Sequence, residues 1–448
     1  MRYFLEVIMV IILTIYLINF FFGLRLLLYK RINSSLYYHL VLLTLLIPVL
    51  TPLFYILNVL DDYTQRKLIK KRKIDLENLP TLSNSKTTSR NDLQFFTNGK
   101  KFFDDMFMEL NEAKNYIHIS FFALNTDEIG KEFFNQLTKC LQRGVEVIIL
   151  YDQLGSIKIK KKYLNEFRKH GGKLVPFLKI FTGINYRNHR KVMVIDNKIA
   201  YLTGFNIGDK YLGKNQKLGI WVDSALKITG NAVEIIEKRF LADLMYALKR
   251  KVEVDKYLIK QEFLGSKIVE VISSGVDISD IDLIENKVLE ELYQANERVY
   301  LQTPYLILND RFLNALLYLK HKGIDIKVMI PSKNDHPLVY QATLAYASIL
   351  VSNDIEVYLF SNQAFLHSKV VIIDNHALIS THNLDIRSFI YSLEIGTLVI
   401  DKDFTDYLTK VFLKQVTYCK QLTKEMVQTY PVWTKLKLAI CKLFSHYL

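Results

Sequence analysis

Hydrophobic and polar positions divide this chain into three textures. Two long apolar runs come first, residues 7–24 (VIMVIILTIYLINFFFGL) and 36–60 (LYYHLVLLTLLIPVLTPLFYILNVL), neither carrying a charge. Each, as a helix, is long enough to cross a hydrocarbon core of about 30 Å, so residues 1–60 are expected to form a two-helix transmembrane hairpin anchor. A second run follows at once and no small-x-small cleavage site is visible, which argues against a cleaved signal peptide. Residues 61–92 are basic and then polar, ending in NLPTLSNSKTTSRND, and read as a linker.

From about residue 93 helix-like and strand-like segments alternate. GKEFFNQLTKCLQRGVEVIILYDQLGS predicts a helix, a glycine stop at Gly144 and a strand, and DRFLNALLYLKHKGIDIKVMIPS repeats that grammar. Continuous apolar strands between helices predict an α/β architecture with β-sheets covered on both faces. KVLEELYQANERVYLQTPYL in the second part mirrors NEAKNYIHISFFAL in the first, so an internal duplication is expected, with halves 93–250 and 251–448. Such halves would pack about a pseudo-twofold axis, where a site would receive one copy of any motif from each.

One pattern does recur. NHRKVMVIDN, residues 188–197, and LHSKVVIIDN, residues 366–375, each set a histidine and a lysine two apart, ahead of a buried-looking strand and an aspartate. Residues i and i+2 of a strand share a face, so His189 projects with Lys191 and His367 with Lys369. Asp196-Asn197 and Asp374-Asn375 are turn formers, and the returning strands IAYLTGFN and ALISTHN are expected to bring Asn206 and Asn383 back beside the histidine and lysine.

Two such clusters suit a phosphodiester. Two lysines and two amides can balance charge on the equatorial oxygens, one neutral imidazole can attack phosphorus, and the other, protonated, can give its proton to the leaving alkoxide. Histidine suits both roles because its ordinary pKa of about 6.5 keeps both forms accessible. This chemistry calls for no divalent metal or cofactor, and the sequence carries no conspicuous metal-ligand cluster. For the two aspartates, turn formation and bracing are a sufficient explanation without direct chemistry.

Net charge changes the picture of partners. At +14 the chain suits a surface of anionic lipid, and the two apolar runs favour lipid over nucleic acid. Arg66, Lys67, Lys70, Lys71, Arg72 and Lys73 after the second run outnumber Arg25, Lys30 and Arg31 between the runs. That bias places both termini inside, with the catalytic region cytoplasmic at the cell membrane. The basic run 66–73 reads either as a topogenic signal or as a lipid-steering patch. Cys140, Cys419 and Cys441, widely spread, agree with a reducing compartment.

At the paired H-x-K-x4-D motifs the chain resembles the phospholipase D superfamily. RNHRKVMVIDNKIAYLTGFNIGDKYLG, LQTPYLI, DHPLVYQAT, FLHSKVVIID, THNLDIRSF and LFSHYL look more specifically like bacterial cardiolipin synthases. The resemblance implies two phospholipase D-like halves and a phosphatidyltransferase that joins two phosphatidylglycerol molecules, releasing glycerol through a phosphohistidine. It implies His189, Lys191, Asp196, His367, Lys369 and Asp374 as the catalytic set, Asn206 and Asn383 as substrate-binding, and Asp223 and Glu394 as acids that orient the histidine of their own half. By the same analogy His189 is the nucleophile and His367 the acid/base. Three departures bear on substrate preference: Thr203 and Ser380 replace an expected glycine, Asn383 follows Asp374 by nine residues where Asn206 follows Asp196 by ten, and VDSA after Trp221 lacks the usual arginine and histidine. A phospholipase D-type hydrolase or another phosphatidyltransferase is the competing enzyme reading, and a non-catalytic membrane scaffold the competing non-enzyme one.

Overall fold

The computed structural model describes residues 2–27, 50–180, 185–259 and 261–445. The first apolar run lies in the helix Arg2–Leu27, where Val10, Leu13, Phe20 and Phe21 are exposed. Residues 36–49 of the second run fall outside the described residues; from Leu50 a helix continues without a break to Asn78. Over the described residues, no helix is long and apolar enough to cross a membrane.

The linker expected over 61–92 is instead mostly ordered secondary structure. Its first part belongs to the helix ending at Asn78, and from Ser85 the chain forms a long strand, β1 (Ser85–Asn98). The polar sequence concealed it because β1 pairs its backbone first with the strand Lys267–Ser274 and then with the strand Ile220–Gly230, while most of its side chains remain exposed. Where β1 changes partner, Arg90 takes a left-handed φ of 60° and Asn91 Oδ1 accepts from Ala232 N at 2.8 Å, at the start of the helix Ala232–Leu248.

The strands that follow are β2 (Tyr116–Phe121), β3 (Glu146–Tyr151), β4 (Lys173–Pro176), β5 (Arg187–Asn188), β6 (Val192–Ile195), β7 (Ile199–Thr203) and β8 (Ile220–Gly230). The second half supplies β9 (Lys267–Ser274), β10 (Arg298–Gln302), β11 (Leu306–Ile307), β12 (Asp325–Ile330), β13 (Glu356–Leu359) and β14 (Ala364–Leu366). It continues with β15 (Val370–Ile373), β16 (His376–Ser380), β17 (Leu384–Asp385), β18 (Ser392–Ile400) and β19 (Lys420–Leu422). Pairing runs β4–β3–β2–β6–β7–β8 in the first half, parallel to β2 and antiparallel beyond it. The second half repeats that order and those senses as β13–β12–β10–β15–β16–β18. The duplication is therefore legible strand for strand. β1 pairs with β8 and β9, and β9 with β18, so the two half-sheets join into one large mixed sheet.

Both motif strands, β6 and β15, are buried on both faces, which is why they read as unbroken apolar runs. The helix Ala232–Leu248 is buried on nearly every side and packs Ile236, Phe240 and Leu244 into a core shared with Val271, Leu366 and Val399 of the second half. Separate cores fill each half, around Phe102, Phe133 and Tyr201 in the first and Val288, Leu316 and Leu350 in the second.

The short second hairpin is absorbed in its turn. Ile195 pairs with Ile199 across three residues, Asp196 to Lys198, whereas Ile373 pairs with His376 across two. Asp196, Asn197 and Asp374 carry φ values of 54°, 53° and 48°, a region that Asp and Asn tolerate. Beyond the turns the registers agree: Thr203 N donates to Lys191 O at 3.1 Å and Ser380 N to Lys369 O at 3.3 Å. The missing residue leaves the site ends of the two hairpins equivalent.

Candidate functional site

Each motif histidine follows a very short strand that docks on the other half. β5 lies parallel to β18, pairing Asn188 with Leu393; β14 lies parallel to β8, pairing Leu366 with Val222. His189 N then donates to Leu393 O at 2.9 Å and His367 N to Val222 O at 2.7 Å. The next residue along each host strand is the acid. His189 Nδ1 lies 2.8 Å from Glu394 Oε1, and His367 Nδ1 lies 2.6 Å from Asp223 Oδ2.

This corrects the expected pairing. Asp223 and Glu394 do orient motif histidines, but each serves the histidine of the opposite half. The reason is the parallel docking of β5 and β14: in that register a residue meets the host strand's next side chain, and the host belongs to the other repeat. With Nδ1–H given to the carboxylate, Nε2 of each ring is left to face the reaction.

Both acids are buried and braced. Asp223 also accepts from Trp221 Nε1 at 3.1 Å and from Ser224 N at 2.8 Å. Glu394 accepts from the Thr381 hydroxyl at 2.5 Å. The position equivalent to Thr381 is Gly204, where a Cβ would stand 1.9 Å from Asp223 Oδ1, so the first half has room for the carboxylate only without a side chain there. Thr203 and Ser380, the departures from the expected glycine, sit one residue earlier, opposite the motif lysines.

The lysines behave alike. Lys191 Nζ donates to His189 O at 2.9 Å, and Lys369 Nζ donates to His367 O. Burial above all lowers Lys191 to about 7 and Lys369 to about 8. Burial and then Lys369, whose Nζ is 2.7 Å from the ring, press His367 down to about 4, against the pull of Asp223. Burial lowers His189 as well, with Glu394 opposing. Burial works against ionisation of the two acids, yet Lys369 and His367 hold Asp223 below the ordinary carboxylate range, and His189 and Lys191 do the same for Glu394. Lys369 acts on His189, Glu394 on Lys369 and Asp223 on Lys191, so the two clusters share one electrostatic space.

Asp196 and Asp374 do not join that space. They lie at the far ends of β6 and β15, where Asp196 accepts from Lys114 N, Asn115 N and Tyr116 N at 2.7 to 2.8 Å. Asp374 accepts in the same way from Asn296 N, Glu297 N and Arg298 N at 2.8 to 2.9 Å. Both carboxylates brace the loop entering the neighbouring strand, so their place in the expected catalytic set becomes a structural one. Asn206 is tied internally, its Oδ1 accepting from Ala123 N and its Nδ2 donating to Tyr211 OH, each at 2.9 Å. Asn383 is buried with its Oδ1 unpartnered.

Several site residues carried no motif signal. Phe122 meets the His189 ring edge-on at 5.4 Å; Trp221, Phe365 and Tyr305 surround His367 at 4.8, 6.1 and 6.4 Å. Tyr305 OH donates to Asp335 at 2.6 Å, and Lys210 Nζ lies 5.0 Å over the Trp221 ring, a third cation near the lysine pair. Tyr305 and Asp335 stand within LQTPYLI and DHPLVYQAT, but strand and loop patterns gave them no role.

Arg190, between His189 and Lys191, is fully buried. Its Nε donates to Glu394 O at 3.2 Å and its guanidinium to Asp243 and Asp277 at 2.9 to 3.0 Å. Lys71 joins the same group, 2.5 Å from Asp75, 2.8 Å from Asp243 and 3.2 Å from Asp277, and Arg239 completes it through Asp75. Lys71 came from the run read as topogenic or lipid-steering; the structure buries it completely. Sequence spacing also gave no hint that Asp75, Asp243 and Asp277 converge closely enough to hold a cation. Here three side-chain cations already balance them.

Comparison with known proteins agrees with this geometry. Residues 106–244 and 288–416 match the family model described as cardiolipin synthase, PLD-like domain. The chain is 36% identical over 366 residues to cardiolipin synthase of Staphylococcus aureus, covering 80% of this chain and 74% of the relative. It is 33% identical over 363 residues to that of Oceanobacillus iheyensis, covering 80% and 75%. In fold it is similar to phosphatidylserine synthase of Haemophilus influenzae, with a TM-score of 0.64 at 16% identity, covering 84% of this chain and all of that one. Polyphosphate kinase of Porphyromonas gingivalis matches 80% of this chain and 53% of its own at a TM-score of 0.51 and 14% identity. The twice-matched domain and these relatives place the chain in the phospholipase D-like cardiolipin synthase family, a family of phosphatidyltransferases.

Proposed function

We propose that this enzyme forms cardiolipin by moving a phosphatidyl group from one phosphatidylglycerol to the hydroxyl of another, with release of glycerol. The observation that carries the reading is the crosswise pair of histidine–carboxylate contacts, His189–Glu394 and His367–Asp223. Each ring has one nitrogen occupied, so each can offer the other to a shared phosphate.

His189 attacks phosphorus with Nε2; the P–N bond forms as the bond to the glycerol oxygen breaks. His367 supplies the proton to that oxygen. In the second step the acceptor hydroxyl loses its proton to His367, its oxygen bonds to phosphorus, and the P–N bond breaks. Lys191 and Lys369 balance the phosphoryl oxygens as charge moves, with Asn206 and Asn383 as expected amide contributors. A bound phosphodiester anion raises the lysine and histidine pKa values that burial lowers, so protonation of His367 is coupled to substrate binding.

Both substrates are bilayer lipids, and a membrane anchor over residues 1–60, with the catalytic region on the cytoplasmic side, completes the proposal. The uncharged run at 7–24 and the exposed apolar side chains of the helix Arg2–Leu27 support it. The test is product analysis with labelled phosphatidylglycerol in membranes lacking other cardiolipin-forming activity, using wild type, His189→Ala and His367→Ala. Cardiolipin and free glycerol from wild type alone are expected. Phosphatidic acid as the main product replaces the synthase with a hydrolase, and lipid composition that ignores both histidines removes catalysis altogether.

A further inference from the structure

The helix Val432–Leu443 has an apolar face that no other described residue covers. It packs against the helix Pro337–Ser352, with Cys441 in the core that helix shares and Leu438 buried as well. Trp433 is 80% exposed and Val432 78%, and Leu436, Ile440 and Leu443 are exposed with them. At about 100° per residue these five fall within roughly 100° of the helix circumference. Lysines stand at both edges of that arc, Lys437 on one side and Lys435 with Lys442 on the other. No acidic residue occurs after Glu425.

Charge decides what covers the stripe. A second copy of this helix laid against the first would bring lysines to lysines with no acid to answer them. An anionic bilayer surface answers both parts: the apolar arc enters the acyl boundary, the flanking lysines meet headgroup phosphates, and the tryptophan takes the interfacial level. We propose that the helix Val432–Leu443 is a membrane contact lying in the plane of the interface, separate from the N-terminal anchor.

Its position relative to the site gives the contact a use. Burial and then Tyr430, two residues ahead of the helix, raise the phenol of Tyr340 in the first turn of the helix Pro337–Ser352. That helix begins two residues after Asp335, which holds the hydroxyl of Tyr305, whose ring is 6.4 Å from His367. The Trp433 end of the contact thus lies toward the part of the fold that borders His367. The choice of lipid as partner rests on the phosphatidyl-transfer reading, whereas the bare stripe does not.

Trp433 is also the probe. The only other tryptophan, Trp221, is buried, so subtracting a Trp433→Phe spectrum isolates the signal. Full-length protein is reconstituted in phosphatidylcholine vesicles with and without phosphatidylglycerol, some carrying lipid spin-labelled near the headgroup. Quenching of Trp433 by the labelled lipid and protection from acrylamide are expected, both stronger with phosphatidylglycerol and both lost in Leu436→Glu/Ile440→Glu. Trp433 open to acrylamide and untouched by labelled lipid overturns the proposal. Protection without lipid quenching, with cross-links between copies at position 436, assigns the stripe to a second copy and overturns it equally. The double variant should also turn over vesicle substrate severalfold more slowly while matching wild type on dispersed short-chain phosphatidylglycerol. Failure of the phosphatidyl-transfer reading would leave the fluorescence result standing.

Discussion

His367 takes its carboxylate partner, Asp223, from 144 positions away in the other repeat, at 2.6 Å. The mirror contact joins His189 to Glu394 across 205 positions at 2.8 Å. Each histidine is therefore electrically part of the half it does not belong to. Substituting an acid should disturb the ring across the seam: in Asp223→Asn, the His367 ring loses its fixed tautomer and its pKa falls further, while His189 is unchanged. Nitrogen NMR of ring-labelled protein reads this directly. Turnover should drop by about 10²–10⁴. A response at His189 in place of His367 would contradict the crosswise arrangement.

Gly204 makes a sterically sharp prediction. Because a methyl at this position would stand 1.9 Å from Asp223 Oδ1, Gly204→Ala must push that carboxylate away from His367. A loss of about 10² in kcat is expected from displacement on the ångström scale, with an unchanged far-ultraviolet circular dichroism spectrum. Thr381→Gly, which removes the hydroxyl's bonds to Glu394 and to the Ile395 backbone but pushes no carboxylate away from its histidine, should cost far less.

The motif lysines predict the alkaline limb of the pH profile. In the proposed reaction Lys191 and Lys369, lowered to about 7 and 8, hold the phosphodiester as cations, so kcat/KM should begin to fall as pH rises through that range, well below the ordinary lysine pKa. Lys191→Arg, slower but permanently charged, should move the onset of the limb from about 7 toward the Lys369 value of about 8. An unmoved limb would assign it to another group.

His382 should make stability depend on pH. Burial opposes its charge, but Asp282, 3.3 Å from Nε2, raises it to about 9. A raised pKa in the folded state means the contribution is complete below the unfolded value near 6.5 and is lost as pH rises through about 9. The expected loss is on the order of 3 kcal/mol across that window. Urea unfolding of wild type and His382→Phe, which copies Phe205 of the first half, should show that slope only in wild type.

Arg190 and Lys71 should prove energetically linked. Removing either from the buried group leaves carboxylates without balance, so Arg190→Met and Lys71→Met should each destabilise the protein by about 3–5 kcal/mol. Combined with Asp243→Asn, the effect of Lys71→Met should shrink, since both touch the same carboxylate. Additive losses in chemical denaturation would separate Lys71 from the group.

Sequence periodicity carried the parts of this fold that rest on local rules. The apolar strands β6 and β15, their Asp-Asn turns and the helix–glycine–strand units were legible because burial on both faces and left-handed turns leave residue-level signatures. β1 escaped because a strand can satisfy its backbone while keeping polar side chains. The crossing of Asp223 and Glu394 escaped for a different reason: it depends on the docking of β5 and β14, two and three residues long, too short for any period. Lys71 looked like its basic neighbours because burial of a charge depends on partners remote in sequence.

The exchange of acids across the seam also constrains ancestry. A protein holding a single repeat would possess a histidine with no carboxylate beside it, and could gain one only by meeting another copy of itself, so its turnover would depend on its own concentration. Fusing the copies makes that meeting permanent and frees each to diverge, as the Asp in one and the Glu in the other already have.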